Sequence, residues 1–333
     1  MTDFLSPSPQ GIAQAADILR SGDLVALPTE TVYGLAGDAM QDDAVARIFE
    51  MKGRPAFNPL IAHVNGRDMA ARYVDITPLA DLLMQHFWPG PLTLVMNLKP
   101  SGGISTLVTA GLRTLAVRMP RQETTCKIIT ALDRPVAAPS ANPSGRLSPT
   151  KPEHVARGLP AVTAIMTGGK CDVGLESTIV DVTGDAPVML RAGAITYEDL
   201  QKLCGNVIDN TQQIQNSVPS APGQLLKHYA PRLPLRLNAV DVLPDEALLA
   251  FASYRFMGVR GGGRIQDLPS ERVLNLSDTG DLHMAAANLF SMLHRLDQSD
   301  ARGIAVMNIP DAGIGRAIND RLKRAAAGAG ETA

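Results

Sequence analysis

Short apolar runs alternate with amphipathic stretches along the chain, and this alternation is typical of an α/β protein. Each apolar run has the length of a buried strand and ends at a polar or turn-forming residue. In the first two thirds of the chain, strands are predicted at Leu24–Leu27, Leu60–Val64, Leu92–Leu98, Leu115–Met119, Val136–Ala138, Thr178–Val182 and Val188–Leu190. We therefore expect a sheet with helices packed against it.

Residues that cap helices mark where the amphipathic stretches begin. Thr77 followed by Pro78 combines an N-cap with a proline at the first helical position. Thr196 with Asp199 resembles a capping box. The predicted helices run from Ser8 or Pro9 to Gly22, from Asp42 to Gly53, from Thr77 to about Trp88 and from Thr196 to Gly205.

The pattern changes after Gly205. Residues 206–220 are polar, rich in Gln and Asn and without an apolar period, and prolines follow closely, so we interpret this stretch as an interdomain linker. Beyond it, apolar runs and amphipathic stretches return and predict a small doubly wound α/β domain. Its strands are expected at Leu235–Leu237, Ala247–Ala252, Val273–Leu276 and Ile304–Met307, and its helices at Leu282–Leu296 and Arg316–Ala326.

Length and composition fit two domains and narrow the function. A chain of 333 residues is long enough for two domains, each with its own core. A net charge of −2 and an aromatic content of 4% argue against binding nucleic acid through bulk charge or a base-stacking platform. Three scattered cysteines predict neither a disulfide nor a zinc site. Because no signal-peptide pattern or membrane-length apolar stretch occurs, we expect a cytoplasmic protein with no membrane partner.

Candidate chemistry is concentrated in polar segments at strand ends. The segment Leu27–Leu35 places Thr, Glu and Tyr side chains at the carboxyl end of a strand, where α/β sheets bind ligands. Lys52 and Arg54 flank a glycine, and a point charge beside a planar guanidinium suits a polyphosphate. A solvated basic loop explains Lys52 and Arg54 equally well, and His63 alone is typical of a buried core histidine.

Three later segments add a buried charge and many hydroxyl groups. Arg118 lies within an apolar strand, where an unpaired charge is expensive, and no acidic residue is near it in sequence. An anionic ligand is therefore expected to pair with Arg118. The segment Ala137–Thr150 predicts either a phosphate-binding loop or a plain turn, and Gly174–Asp181 with Arg191 again combines hydroxyls with a basic group.

The sequence contains no Walker A, GxGxxG, GxSxG or HExxH motif. Its six histidines lack metal-ligand spacing, and no residue resembles an activated nucleophile. In the second domain, Arg260–Arg264 (RGGGR) fits either an anion-binding loop or a flexible turn. The residues alone thus predict a polar, basic pocket without a covalent catalyst.

Seven segments, taken in order, strongly resemble the YrdC-type threonylcarbamoyl-AMP synthase family: PTETVYGL, KGRPAFNPLIAHV, WPGPLTLVM, TAGLRTLAVRMP, APSANPSGRLSPT, GLESTIVDV and LRAG. Further on, APGQLLKHYAP and GRAINDR resemble the long, two-domain form. The resemblance covers nearly the whole chain. It implies an α/β YrdC-like domain with a twisted open mixed sheet at 8–205, a linker or lid at 206–234 and a smaller Rossmann-like doubly wound domain at 235–330.

The resemblance also implies a reaction. A nucleotidyltransferase of this kind makes L-threonylcarbamoyladenylate from L-threonine, bicarbonate and ATP and releases pyrophosphate. The product is passed to a tRNA-modifying transferase complex, which modifies the adenosine next to the anticodon of certain tRNAs. Mg²⁺ is expected to arrive with ATP, no tightly bound organic cofactor is expected, and direct tRNA binding is expected to be weak or absent.

Site residues follow from the resemblance by position. Lys52 and Arg54 match residues that offset charge on the triphosphate, which suits a reaction driven by positioning and charge neutralisation. Tyr229 matches a residue that folds back over the nucleotide and would make the linker a lid. The threonine site is matched by Thr31, His63, Arg118 and Ser177, and the ATP site by Arg54, Asn58, Thr109, Ser140, Asn142, Ser148, Arg191 and Tyr229.

Two other functions stay open at this point. A concave basic surface is also consistent with an RNA-binding module, which salt-sensitive RNA affinity without ATP turnover would support. A carbamoyl-transfer enzyme with a YrdC-like domain, as in hydrogenase maturation, would use carbamoyl phosphate instead of bicarbonate. The acylphosphatase and zinc-finger segments expected of that enzyme are missing from this sequence.

Overall fold

The computed structural model describes residues 2–55, 57–211 and 228–329. Over these residues the chain divides into two compact units. The first unit takes in the residues up to 211, except for 145–148 and 173–175. Those two short segments belong to the second unit, together with the residues from 228 onwards. Residues 212–227 of the predicted linker lie outside the described residues.

A mixed sheet forms the centre of the first unit. Within the described residues it has 11 strands in the order β1-β8-β2-β3-β7-β4-β6-β5-β9-β10-β11. The strands are β1 (Asp3–Leu5), β2 (Val25–Leu27), β3 (Gly34–Asp38), β4 (Ile61–His63), β5 (Leu92–Asn97), β6 (Thr114–Arg118), β7 (Val136–Ala137), β8 (Ala164–Met166), β9 (Thr178–Asp181), β10 (Val188–Arg191) and β11 (Ile208–Asp209). Since the order is not sequential, neighbouring strands bring together distant parts of the chain.

Three helices of the first unit begin at caps that the sequence predicts. Ser8 and Thr77 accept hydrogen bonds from the backbone N–H groups of Gly11 and Ala80, and Thr196 with Asp199 forms both bonds of a capping box. The helices are α1 (Pro9–Arg20), α2 (Asp42–Lys52), α3 (Arg67–Ala71), α4 (Pro78–Phe87), α5 (Thr106–Thr109), α6 (Glu123–Leu132), α7 (Pro152–Gly158) and α8 (Tyr197–Cys204).

The pattern of apolar runs missed several elements of the first unit, among them β3 and α6. The strand β3 reads GLAGD, and glycine and alanine have low strand propensity. The helix α6 contains three threonines and two isoleucines, whose branched side chains lower helix propensity. The strand β3 is buried throughout, and α6 buries Ile128, Ile129 and Leu132 on one face in the same aliphatic core. Packing against these neighbours outweighs the low propensity.

The second unit is a smaller α/β structure. Its sheet, in the order β12-β17-β13-β16, is parallel at every pairing. The helix α9 buries Ala285, Leu289, Phe290, Leu293 and Leu296 along one face. The elements are β12 (Leu235–Arg236), β13 (Glu246–Ala250), the hairpin β14 (Gly258–Val259) and β15 (Gly263–Arg264), β16 (Val273–Asn275), α9 (Leu282–Leu296), β17 (Gly303–Val306) and α10 (Gly315–Gly328).

The predicted fold class is confirmed: a large open mixed sheet with helices, followed by a smaller parallel α/β unit. The cysteines Cys126, Cys171 and Cys204 are all free, as expected from their spacing. Among the helices of the described residues, none combines the length and the apolar character needed to cross a membrane.

Candidate active site

Arg118 lies at the centre of the predicted threonine site. The strands β4 and β6 are parallel neighbours, and their register pairs His63 with Arg118. The Arg118 guanidinium donates from Nη1 to Thr31 Oγ1 at 2.9 Å and from Nε to the Gly90 carbonyl at 3.2 Å. The structure therefore brings Thr31, His63 and Arg118 together at one end of the sheet.

The expectation that Arg118 lacks an acidic partner is wrong. Its Nη2 donates to Glu30 Oε1 at 2.6 Å, and the two side chains are 4% and 2% exposed. The other carboxylate oxygen of Glu30 accepts a hydrogen bond from the Arg121 backbone N–H at 3.0 Å. A buried guanidinium needs such a partner, since leaving its charge unpaired would cost several kcal/mol. Each terminal nitrogen of Arg118 carries a second N–H, so the ion pair orients the guanidinium without using all its donors.

The Pro-Thr segment after β2 positions Thr31. The Thr29 hydroxyl accepts hydrogen bonds from the backbone N–H groups of Thr31 at 3.1 Å and Val32 at 3.2 Å. Threonine hydroxyls stabilise tight turns in this way. The hydroxyls of Thr29 and Thr31 are also 2.8 Å apart. The Thr31 hydroxyl is thus held by the turn on one side and by Arg118 on the other.

His63 is buried beside Arg118, and both the burial and the neighbouring positive charge lower its pKa. Burial, with a smaller effect of the Arg118 charge, lowers the pKa of His63 to about 3. Its Nδ1 lies 3.3 Å from the Ile61 carbonyl oxygen. At neutral pH His63 is therefore an uncharged imidazole, which can contact a ligand without adding a second positive charge to that of Arg118.

Ser177 links the residues matched to threonine with those matched to ATP. It directly precedes β9, and its hydroxyl is 2.7 Å from that of Thr93. Arg191, the last residue of β10, donates from Nη2 to the Ser177 hydroxyl and from Nε to the Ser177 carbonyl, both at 3.0 Å. Since β9 and β10 pair side by side, the two predicted sets meet at Ser177.

Lys52 is buried and holds a loop. Its Nζ donates to the carbonyl oxygens of Ser140 and Asn142, each at 2.5 Å. Burial, with a smaller effect of the Arg54 charge, lowers the pKa of Lys52 well below its usual value. Gly53 ends α2 in the left-handed conformation (φ 59°), which turns the chain between Lys52 and Arg54. Lys52 thus fixes the loop that carries two predicted ATP ligands.

Three further residues predicted to bind ATP lie in the first unit: Arg54, Asn58 and Thr109. Arg54 donates from Nε to the Asn58 carbonyl at 3.3 Å and from Nη2 to the Pro59 carbonyl at 3.0 Å. The Thr109 hydroxyl donates to the Thr106 carbonyl at 3.2 Å. The side-chain Oδ1 of Asn58 is buried, and no hydrogen-bond donor reaches it from the described residues. A buried acceptor without a donor is costly, so a polar ligand at this position would be stabilised.

The last two predicted ATP ligands, Ser148 and Tyr229, belong to the second unit. The Ser148 carbonyl oxygen lies 3.1 Å from His294 Nε2. Tyr229 is buried and has a left-handed backbone (φ 65°). Its ring packs at 5.4 Å from that of Phe290, and the Arg321 guanidinium lies 5.6 Å from its centroid.

Glu30 and Thr93 are the site residues that sequence reasoning did not assign. Glu30 lies in the polar segment Leu27–Leu35 between apolar flanks. Its charge, like that of Arg118, is expensive to bury unpaired, and this shared feature could have suggested that the two residues pair. Thr93 lies in the middle of the apolar strand β5 and carries no signal of its own. Within the described ranges, His, Cys, Asp and Glu side chains form no cluster of three or more that could hold a metal ion.

Comparison with known proteins assigns the family. The sequence profile described as telomere recombination matches residues 17–193, and the one described as threonylcarbamoyl-AMP synthase, C-terminal domain, matches residues 195–327. The threonylcarbamoyl-AMP synthase of Bacillus subtilis (strain 168) is 39% identical over 349 residues, and the match covers 98% of this chain and 96% of the relative. The chain belongs to the threonylcarbamoyl-AMP synthase family.

Two further comparisons support this assignment to the threonylcarbamoyl-AMP synthase family. The relative from Pyrococcus abyssi (strain GE5 / Orsay) is 39% identical over 321 residues, covering 93% of this chain and 92% of the relative. The crystal structure of P. abyssi Sua5 complexed with L-threonine matches with a TM-score of 0.86 and 33% identity over 98% of both chains. The protein is therefore an enzyme of this family, a nucleotidyltransferase-type synthase with two domains.

Proposed function

We propose that this enzyme converts L-threonine, bicarbonate and ATP into L-threonylcarbamoyladenylate and pyrophosphate. The observation that carries the proposal is the buried cluster around Arg118, where Glu30 and Thr31 orient the guanidinium beside an uncharged His63. A charge fixed in this way suits the carboxylate of an amino acid. The similarity to a protein crystallised with L-threonine supports threonine as that amino acid.

Each group of threonine has a matching partner in this proposal. The carboxylate binds the remaining N–H donors of Arg118. The hydroxyls of Thr31 and Ser177 form hydrogen bonds with the amine and the hydroxyl of the substrate. Both hydroxyls are buried, and Arg118 holds the first while Arg191 holds the second. His63 lines the site as an uncharged imidazole, so it adds no positive charge near the threonine amine as the amine approaches bicarbonate.

The proposed chemistry has two steps and no protein nucleophile. The threonine amine attacks the carbon of bicarbonate, and loss of water leaves a carbamate. A carbamate oxygen then attacks the α-phosphorus of ATP, the bond to the β-phosphate oxygen breaks, and pyrophosphate leaves. In this proposal Arg54 and Arg191 offset the charge of the phosphates, while Lys52 holds the loop with Ser140 and Asn142.

Mg²⁺ enters this proposal as part of the substrate, bound to ATP. The described residues supply no cluster of acidic or histidine side chains for it, so phosphate oxygens and water would be its ligands. We further propose that the product passes to a tRNA-modifying transferase complex for modification of the adenosine next to the anticodon. Weak direct tRNA binding and a cytoplasmic location are parts of the same proposal.

Pyrophosphate release by the purified protein tests the proposed reaction. With Mg²⁺ and ATP present, release is expected to need both threonine and bicarbonate, since the carbamate must form before the α-phosphate is attacked. Release without threonine would point to another acceptor or to simple hydrolysis of ATP. Turnover supported by carbamoyl phosphate in place of bicarbonate would favour carbamoyl transfer. Tight, salt-sensitive RNA binding without any release would favour the RNA-binding module.

A further inference from the structure

The second unit contains a groove that the proposed reaction does not use. Its volume is about 810 Å³, within the range of small-molecule sites. It is lined by Ala252–Met257, which follow β13, by Arg264, Ile265 and Gln266, by Asn275, which ends β16, and by one carboxylate, that of Asp278. These two strands are parallel neighbours, and the carboxyl ends of parallel strands are where α/β sheets commonly bind ligands.

Two arginines line this groove. Arg255 is exposed, and within residues 228–329 its guanidinium has no ion-pair partner. Arg264 faces Asp267 at 3.3 Å with its side chain 77% exposed, and an ion pair this exposed contributes little. Both guanidinium groups are therefore accessible to an anion. They are also suited to bidentate contact with phosphate oxygens.

The hairpin explains the RGGGR segment of the sequence. Gly261 and Gly262 have φ values of 96° and 102°, so they form the tight turn between β14 and β15. Arg260 on the near side of the turn pairs with Asp241 at 2.9 Å, whereas Arg264 on the far side lines the groove. The segment is thus a turn that places one of its two arginines, Arg264, along the groove.

Aromatic side chains lie beside these charges. Phe256 is 100% exposed, and Tyr254 lines the same groove while packing partly against the apolar cluster of the unit. A wholly exposed phenylalanine next to Arg255 is an unfavourable use of apolar surface unless something covers it. A planar base stacks well on such rings.

The walls of the groove are held in place by hydrogen bonds and packing. Asn275 Nδ2 donates to the Ala252 carbonyl at 2.9 Å, and the Ala252 N–H donates to the Ser277 carbonyl at 2.8 Å. Met257 and Ile265 pack on the apolar cluster of the sheet. The backbone at Ala252 and the packed residues Met257 and Ile265 therefore give the groove a fixed framework, from which the exposed side chains of Arg255, Phe256 and Arg264 project.

We propose that this groove is a second ligand site that binds a mononucleotide, with the base on the Tyr254 and Phe256 rings and the phosphates on Arg255 and Arg264. The volume and the position at the strand ends favour a single nucleotide over an RNA strand, which would need a longer charged track. The site is independent of the reaction proposed for the first unit.

Equilibrium dialysis of the full chain with AMP tests this proposal. The wild type is expected to bind AMP at the groove, and the double variant Arg255→Gln/Arg264→Gln is expected to weaken that binding by at least about tenfold. Phe256→Ser, at a wholly exposed position, is expected to weaken it as well. Arg302→Gln is the matched control, because Arg302 is exposed and does not line the groove.

Three outcomes would overturn the proposal. The first is that the wild type and the double variant bind AMP with equal affinity. The second is that Arg302→Gln loses as much affinity for AMP as the double variant does. The third is that the wild type binds a single-stranded oligonucleotide more tightly than AMP. Pyrophosphate release is measured on the same proteins and is expected to be unchanged. If the proposed reaction is wrong, the wild type releases no threonine-dependent pyrophosphate, and the comparison of AMP binding between the variants still stands.

Discussion

At the scale of single residues, the buried Glu30–Arg118 ion pair gives the sharpest test of the proposed threonine site. Glu30 touches Arg118 and the Arg121 backbone, so we regard it as a positioning residue. Glu30→Gln removes the charge that orients the guanidinium while keeping nearly the same shape. We expect the KM for threonine to rise about tenfold or more and the KM for ATP to change less than about twofold.

Steady-state kinetics of pyrophosphate release measure both constants. Glu123→Gln is the matched control, because Glu123 is an exposed carboxylate on α6 paired with Lys127, and no change is expected there. An equal rise of both KM values in Glu30→Gln would show a general disturbance of the fold and exclude a specific role in positioning Arg118.

His63 gives a prediction about pH. Its pKa is about 3 in the folded protein, below the usual 6.5, so the unfolded chain binds more protons between these values. The free energy of unfolding that depends on neutral His63 is complete above pH 6.5 and is lost as the pH falls towards 3. From pH 7 to 5 we expect the wild type to lose about 2 kcal/mol more than His63→Gln, measured by urea unfolding. Equal losses in both proteins would contradict this assignment.

At the scale of elements, the approach of β9 to the residues after β10 keeps Ser177 in place. A Cβ atom on Gly193 would lie 2.3 Å from the Thr178 backbone nitrogen and 2.7 Å from the Glu176 carbonyl oxygen. Gly193→Ala must therefore push the backbone around Ser177 away. We expect a loss of about 1–3 kcal/mol in the free energy of unfolding and a higher KM for threonine.

The control for Gly193→Ala is Gly184→Ala, since a Cβ atom at Gly184 would meet nothing within 4 Å. Its free energy of unfolding is expected to change by less than about 0.5 kcal/mol. Thermal unfolding and threonine kinetics of the two variants are compared side by side. A Gly193→Ala variant as stable and as active as Gly184→Ala would show that the strands tolerate a wider separation.

At the scale of the whole molecule, the part that we propose for Tyr229 in ATP binding can be tested by substitution. Its ring packs on Phe290 and Arg321, and the ATP-binding role implied by the family resemblance is a prediction. Tyr229→Ala is expected to raise the KM for ATP about tenfold and to slow pyrophosphate release. Tyr229→Phe keeps the ring and is expected to retain most of both. Unchanged ATP kinetics in Tyr229→Ala would exclude the role.

Much of the architecture follows from local sequence. The capping residues Ser8, Thr77 and Thr196 predict helix starts that the structure confirms, and the apolar runs that predict β5, β6 and β13 overlap the observed strands. These signals are local, because a cap acts within one turn and an apolar run needs only its own length. The residues matched by the family motifs are likewise read from short stretches of chain.

Tertiary structure decided which of these residues act on one another. Glu30 and Arg118 are 88 positions apart, and Lys52 Nζ reaches the Ser140 carbonyl across the same separation along the chain. Similarly, segments 145–148 and 173–175 belong to the second unit although they lie within the first two thirds of the sequence. Such pairings depend on strand order and register, which no local pattern encodes. The sequence by itself therefore determined the elements with strong local signals and the candidate residues. The folded chain decided the elements of low propensity such as β3 and α6, the carboxylate partner of Arg118 and the loop that Lys52 holds.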